Sequence, residues 1–258
     1  MTAATPRTDL PALDKSSSAI RGMFGRIAWR YDLMNRLVSG GLDRSWRMKA
    51  AAALACAPGE RVLDVGSGTG DLALALNRQA RGGVQITALD FTYEMLSVGR
   101  TKFSGAAARI PETAADGLRL PFPDGVFDAA MAAFSVRNFA SLGAGAREIL
   151  RVLKPGGRLL VLELTPAPTG PLAPLILFWS RRVVPALGAF LARDAGAYRY
   201  LPDSVGRWPR PDELARQFEE AGFERVSVQL LTFGIAAIHL AIAPVAPPAG
   251  AAHPESNT

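Results

Sequence analysis

Cysteine is nearly absent from this 258-residue chain: Cys56 stands alone, in the alanine-rich stretch AAALACAPG. One thiol excludes an internal disulfide and a zinc site built from cysteines, and Cys56 itself reads as a small buried residue. Long apolar runs are missing too. The longest, PLAPLILFWS from Pro171, stops at Arg181 and Arg182, well short of the roughly 18 residues a bilayer-spanning helix needs. The opening MTAATPRTDLPALDKSSS holds no apolar core of the kind a secretory signal carries. No long basic run occurs either, although the net charge is +6 and arginine supplies 25 of the 29 basic residues. Such a charge permits attraction to nucleic acid, anionic lipid or an acidic partner and selects none of them. A reducing, cytoplasmic setting is the expectation.

What is present is a globular composition, 49% hydrophobic and 20% charged, in a length that suits one well-cored domain with insertions. Residues 1–18 and 244–258 are rich in Pro, Ala, Ser and Thr and are expected to be mobile tails. Between them, strand-like runs at 61–65, 84–90, 127–134, 158–164 and 225–231 alternate with helical patterns at 71–81, 93–102, 142–153 and 211–221. That alternation predicts an α/β fold whose mostly parallel sheet is covered on both faces. In LKPGGRLLVLE, Pro155, Gly156 and Gly157 are expected to end a helix and start a buried strand. Around Thr232–Gly234 a closing antiparallel pair is expected. Two segments stand outside the alternation: N-terminal helices over 20–57, and a Pro-interrupted, aromatic-rich insertion over 166–210. In open α/β sheets ligands lie beyond the carboxyl ends of the strands, and both segments are placed to cover that edge.

The stretch RVLDVGSGTGDLAL puts Gly66, Gly68 and Gly70 directly after a strand. This is G-x-G-x-G, not the G-x-G-x-x-G dinucleotide fingerprint, and it lacks the Lys-Ser/Thr of a phosphate loop. By itself it also fits a tight turn that needs positive φ. The acids decide between the two. Asp64 ends the strand, Asp71 opens the helix, and Asp90 ends the next strand, twenty residues beyond Gly70, where an acid accepts ribose hydroxyls. Asp116, followed by Gly117, lies where a third strand-end loop would reach an adenine edge. Four carboxylates would repel a pyrophosphate and suit a cationic nucleoside, a unit charge pair at 4 Å being worth on the order of 4 kcal/mol at an effective dielectric near 20. S-adenosylmethionine, with a sulfonium, an ammonium and no phosphate, meets that description.

With these residues in view, the chain resembles the ubiquinone/menaquinone biosynthesis C-methyltransferases from about Met23 to Leu240. The resemblance rests on MFGRIAWRYDLMNRLVSGGLDRSWR, VLDVGSGTGDLALAL, ALDFTYEMLSVGR, LPFPDGVFDAAMAAFSVRNF, REILRVLKPGGRLLVLEL, YRYLPDSVGRWP and LTFGIAAIHL. The glycine loop and LKPGG are generic to class I methyltransferases, whereas YDLMN, F-x-x-RN and AYRYLPDSV in that order are far more specific. The resemblance implies a Rossmann-like, mostly parallel seven-stranded sheet flanked by helices, with an N-terminal helical cap and a late helical insertion. It implies cofactor contacts at Thr69, Asp90, Asp116, Gly117 and Ala133. Ser67 and Ser135 depart from the family's usual Cys and Gly, changes expected to touch pocket shape rather than the reaction.

The implied reaction moves a methyl group from S-adenosylmethionine to a ring carbon of a polyprenylated quinol and needs no metal. Alignment and exclusion of water do most of the work, and an oriented cation stabilises the neighbouring ring oxygen. Arg137 is the candidate for that cation, with a plain salt bridge as the alternative; Asn138 is the candidate to orient a hydroxyl or a water. For the base, Asp32, His239 and a water held by Arg137 and Asn138 stay open, and His253 lies in the tail. Tyr31, Tyr198, Tyr200 and His239 are candidate substrate contacts. The apolar segment 171–192 reads either as a lid or as an interfacial element with Phe178 and Trp179 in lipid, so peripheral membrane contact is expected either way. The substrate is demethylmenaquinol, or a 2-methoxy-6-polyprenyl-benzoquinol in the close alternative. No nucleic-acid partner is expected, a non-catalytic binding scaffold is the remaining alternative, and a homo-oligomer stays open.

Overall fold

The computed structural model describes residues 17–166, 174, 178, 182 and 204–245. Most of the insertion, both predicted tails for the greater part, and Tyr198 and Tyr200 lie outside the described residues. Three helices come first: α1 (Ser17–Ile27), α2 (Tyr31–Ser39) and α3 (Leu42–Leu54), with a 3₁₀ turn at Ala28–Arg30 between the first two. Then β1 (Arg61–Val65), α4 (Asp71–Gln79), β2 (Gln85–Asp90), α5 (Tyr93–Gly105), β3 (Glu112–Ala114) and β4 (Phe127–Ala133) follow. A 3₁₀ turn at Val136–Asn138 leads to α6 (Leu142–Val152), β5 (Leu153–Leu164), α7 (Pro211–Glu220), β6 (Glu224–Leu231) and β7 (Ala236–Ile242).

The seven strands pair in the order β3-β2-β1-β4-β5-β7-β6. β7 runs antiparallel to both β5 and β6, and the other pairings are parallel. Chain order reverses at β1, which has β2 on one side and β4 on the other. This switch point opens a crevice at the carboxyl ends of β1 and β4, where such sheets hold their ligands.

Inner strands of a sheet covered on both faces must be apolar on both faces, and the packing divides residue by residue. Val62, Ala129, Met131, Leu160 and Leu162 join Trp46, Leu54, Leu72 and Leu76 of α3 and α4 in one core. Leu63, Val65, Ala130, Leu159 and Val161 join Ile149, Leu214 and Phe218 of α6 and α7 in the other. The N-terminal cap thus divides in function. α3 belongs to the helical layer, whereas α1 and α2 reach the carboxyl edge, where Gly25 of α1 lies against Glu94 at the start of α5.

Two differences from the sequence reading alter the sheet: an earlier start to β5 and an additional strand, β3. β5 begins at Leu153, not Arg158, because LKPGG is itself hydrogen-bonded into the sheet: Leu153 pairs with Phe127 across a register shift, and the Ala243 amide donates to the Gly157 carbonyl at 2.8 Å. β3 escaped notice because three edge residues are too few for a strand's alternation to show.

Gly66, the first residue after β1, has φ of 65°, and a Cβ there would lie 2.4 Å from Cβ of Ser135. Ser135 in turn donates its hydroxyl to the Val65 carbonyl at 2.9 Å. The serine is therefore accommodated by the missing side chain opposite. Gly66→Ala is expected to cost about 3 kcal/mol, from left-handed backbone strain plus overpacking, and to lower the melting temperature by roughly 8 °C. Adding Ser135→Gly relieves the overpacking alone, so differential scanning calorimetry should recover about half of the loss.

Candidate active site

The turn that follows β1 is built from its own amides and from one carboxylate. The Ser67 amide donates to the Leu89 carbonyl at 2.9 Å, and the Gly70 amide to the Ser67 carbonyl at 2.9 Å. The Gly68 amide donates to Oδ2 of Asp90 at 2.9 Å, and Oδ1 of Asp90 accepts from the Thr92 amide at 2.8 Å. Asp90 thus ties the glycine loop to the loop that starts α5. A single cavity runs over this edge, walled by both loops and by Ala133, Asn138 and the Asp116–Leu118 segment, and roofed by Ile20, Phe24 and Tyr31 from the helical cap.

The charged residues of the wall are Asp64, Asp71, Asp90, Asp116 and, on α3, Arg47. Asp64 is 1% exposed, and neither of its carboxylate oxygens has a hydrogen-bond partner among the described residues. Burial pushes its carboxyl up to about 7; the Arg47 guanidinium and, more weakly, the nearby Ala73 amide work against that rise, and the Asp90 charge adds to it. Burial also raises the Asp90 carboxyl, while the Thr92 and Gly68 amides hold it back. Two bare oxygens facing a cavity, next to a second acid, form a receptor for a cation that brings hydrogen-bond donors. An ammonium supplies both. Asp116 orders the adjoining loop by accepting from the Leu118 amide at 2.9 Å, and Gly117 has no room for a Cβ, which would sit 2.8 Å from Cζ of Phe139.

Of the residues singled out from sequence, Tyr31, Asp64, Gly66, Gly68, Thr69, Asp90, Asp116, Gly117, Ala133 and Asn138 line this one cavity. Gly70 does not; it faces Phe103, whose Cζ would lie 2.3 Å from an added Cβ, so its place is set by packing. Asp32 stands behind the loop, accepting from Thr69 Oγ1 at 2.5 Å and from Lys102 Nζ at 2.8 Å; Lys102 also pairs with Asp71. Arg137, on the 3₁₀ turn after β4, is 4% exposed, with its guanidinium committed to Glu163 of β5 and, through Nε at 3.0 Å, to Ser204. His239 lies away from the cavity: it sits on β7, donates Nε2–H to the Pro211 carbonyl at 2.9 Å and packs edge-on to Phe218. Burial lowers its pKa, so it is a neutral side chain that anchors α7, and it is not among the residues that line this cavity. Tyr31 does reach the cavity, and burial raises its phenol, leaving it a neutral donor near pH 7.

Sequence reading missed Arg47. It stood in DRSWRMK as one of many arginines, and nothing in its spacing distinguishes a wall residue from an i, i+4 partner of Asp43.

The Asp64 carboxyl makes stability depend on pH. In the folded chain it ionises near 7, in the unfolded chain near 4. The folded state therefore binds more protons between these values, and stability falls as pH rises through that window. The full cost is on the order of 4 kcal/mol. Asp64→Asn is thus expected to raise the ligand-free melting temperature at pH 8 and to change it little at pH 4, while weakening binding of a cationic ligand. Equal melting temperatures at pH 8 would show that the charge is already compensated.

Comparison with known proteins gives the arrangement its relatives. The model of the ubiE/COQ5 methyltransferase family matches residues 12–243. A demethylmenaquinone methyltransferase of Thermus thermophilus is 47% identical over 219 residues, 84% of this chain and 98% of that protein. One from Deinococcus radiodurans is 45% identical, covering 88% and 94%. A ubiquinone/menaquinone biosynthesis C-methyltransferase of Geobacter sulfurreducens is 41% identical, covering 88% and 89%. Among solved structures, a SAM-dependent methyltransferase from Aquifex aeolicus superposes with a TM-score of 0.60 at 19% identity over 82% of this chain and 97% of its own. The [4+2]-cyclase SpnF does so with 0.66 at 22% identity, over 93% and 100%. The Rossmann-like class I fold is common to this chain and these two solved structures, and by sequence the chain belongs to the ubiE/COQ5 methyltransferase family.

Proposed function

We propose that this chain is an S-adenosylmethionine-dependent C-methyltransferase that converts demethylmenaquinol to menaquinol. The observation that carries the donor is the pair of buried, unpartnered Asp64 oxygens at the switch point of the sheet. Support for the ring comes from the relatives named for demethylmenaquinone. A 2-methoxy-6-polyprenyl-benzoquinol is the second reading, favoured by the relatives whose names include ubiquinone.

S-adenosylmethionine supplies a methyl group already activated on a sulfonium. The chain's own residues bind, orient and exclude water. Asp64 takes the ammonium. Asp90, its carboxylate fixed by two amides, presents its remaining lone pairs to the ribose hydroxyls, and the Asp116–Leu118 loop faces the adenine. Asn138 stands at the wall beside Ala133 and orients the ring hydroxyl or a water next to it. Arg137 acts from behind the wall: its pairing with Glu163 and Ser204 fixes the Val136–Asn138 turn and so aims Asn138. Tyr31 lends a neutral phenol to the same space. Asp32, bound to Thr69 and Lys102, holds the cap against the glycine loop.

A prenylated ring is drawn from a bilayer, so contact with a membrane surface belongs to this reading. No helix among the described residues is long and apolar enough to cross a membrane. Trp29 on the cap, with Arg30 stacked on its ring at 3.9 Å, and Phe178 in the insertion are exposed apolar side chains suited to peripheral contact.

The full chain, incubated with S-adenosylmethionine and short-prenyl forms of both reduced quinols, is expected to methylate the naphthoquinol preferentially, read by mass spectrometry. Donor binding without product on either ring would refute the assignment. Asn138→Ala should lower turnover on the order of 100-fold with donor affinity within a few-fold. Arg137→Ala strands a buried carboxylate and should cost about 3–5 kcal/mol. Arg137→Met with Glu163→Gln should restore most of that stability and leave turnover low. Turnover surviving in the double variant would remove Arg137 from the mechanism.

A further inference from the structure

Four acids and one cation line the cavity among the described residues, and the cation is unexplained by the nucleoside alone. Arg47 is 5% exposed. Burying a guanidinium costs several kcal/mol unless its donors are matched, yet here the matching is incomplete. Asp43, one turn earlier on α3, accepts from Nη1 at 2.6 Å, and Nε is buried with no partner among the described residues. The guanidinium carbon lies over the Phe134 ring, 5.0 Å from its centroid.

Phe134 holds that position at φ of 58°, a left-handed conformation that a bulky residue adopts only at a cost. Its amide still donates to the Leu162 carbonyl at 2.9 Å, so the backbone twist is over-determined by the sheet. Strain kept in this way is found where a side chain must be aimed, and what is aimed here is a ring under a cation at the rim of the ligand cavity.

Arg47 also stands within Coulombic reach of Asp64, whose carboxyl it holds down against burial. An anion whose two oxygens are buried without a partner and a cation whose Nε–H is buried without one therefore line the same cavity, together with Asp90 and Asp116. That pattern fits a ligand ending in a zwitterion. The methionyl tail of S-adenosylmethionine is one: its ammonium suits Asp64 and leaves a carboxylate that needs a donor. We infer that Arg47 is the carboxylate receptor of the site, gripping the methionyl tail of the methyl donor from α3 while Asp64 takes the ammonium. The inference rests on S-adenosylmethionine as the donor. It also assigns α3 a share in donor binding.

Isothermal titration calorimetry on the full chain separates this role from a merely structural one. Three ligands are compared: S-adenosylmethionine, its decarboxylated analogue, which keeps sulfonium and ammonium, and 5′-methylthioadenosine, which lacks the tail. The unaltered protein should bind the decarboxylated analogue on the order of 30-fold more weakly than the parent, the range of a charge-assisted hydrogen bond. In Arg47→Met the ratio should fall to within about 3-fold, with 5′-methylthioadenosine binding both proteins alike. Arg47→Met with Asp43→Asn removes both members of the pair and keeps the measurement available if the single variant fails to fold. Undiminished discrimination in either variant, or none in the unaltered protein, would overturn the role of Arg47 alone. No affinity of the unaltered protein for S-adenosylmethionine would overturn the donor, and this inference with it.

Discussion

The grip of Asp90 on the Gly68 amide is the contact on which the geometry of the cavity turns. A parallel sheet delivers β1 and β2 side by side, but it does not decide how the chain leaves β1. Left-handed φ at Gly66 bends it away, and a carboxylate at the end of β2 then catches the loop by a backbone donor. The same carboxylate catches the Thr92 amide at the entrance to α5, so one side chain sets two loops in a fixed relation. Each oxygen of Asp90 accepts one backbone amide in this, whereas both oxygens of Asp64, one strand away, have no hydrogen-bond partner among the described residues. The contrast gives the two acids different tasks. Asp90 is a buried strut that also faces the cavity, and Asp64 is a charge waiting for a counter-charge.

Much of this was legible before any coordinates, for identifiable reasons. Inner strands such as Arg61–Val65 and Phe127–Ala133 are apolar on both faces, so they stand out against amphipathic helices. Asp64, Asp90 and Asp116 could be placed at strand ends because strand ends are the positions a parallel sheet fixes best. What stayed hidden depended on partners distant in sequence. Arg137 looked like a cation free to face a substrate, but Glu163, twenty-six residues later on β5, claims it. His239 looked like a candidate base on an apolar strand, but the Pro211 carbonyl claims its Nε2. Gly70 read as part of a binding loop, and Phe103 explains it instead. In each case the residue type was noticed and its partner was not, because pairings across the sheet carry no local signal. Arg47 is the converse: its partner Asp43 is local, and the cavity it faces is not.

Buried ion pairs of this kind add little to stability in themselves, since desolvation offsets most of the attraction. Their value lies in direction. Arg137 joins the turn after β4 to β5 and to Ser204, and Arg47 joins α3 to the ring of Phe134 at the end of β4. Lys102 joins α5 to Asp32 of the cap and to Asp71 at the start of α4. Each connects an element of the scaffold to one that borders the cavity. The ionic contacts therefore lie where apolar packing ends and the two cores no longer position the chain.

The likeness to SpnF sharpens this point. A cyclase and a methyltransferase both share this sheet at about one-fifth identity, so the fold alone cannot select a reaction. Selection has to come from what is added at the carboxyl edge. Here those additions are a cap whose Phe24 and Tyr31 roof the cavity, a turn that sets Asn138 in its wall, and a charge pattern of four acids and one arginine. In the reading proposed above, the acids and the arginine recognise a zwitterionic nucleoside whatever its methyl acceptor. On the same reading the choice of acceptor falls to the apolar and aromatic roof of Ile20, Phe24 and Tyr31, which the helical cap supplies. That reading assigns donor and acceptor recognition to separate parts of the chain, and it accounts for a generic loop and a family-specific cap in one sequence.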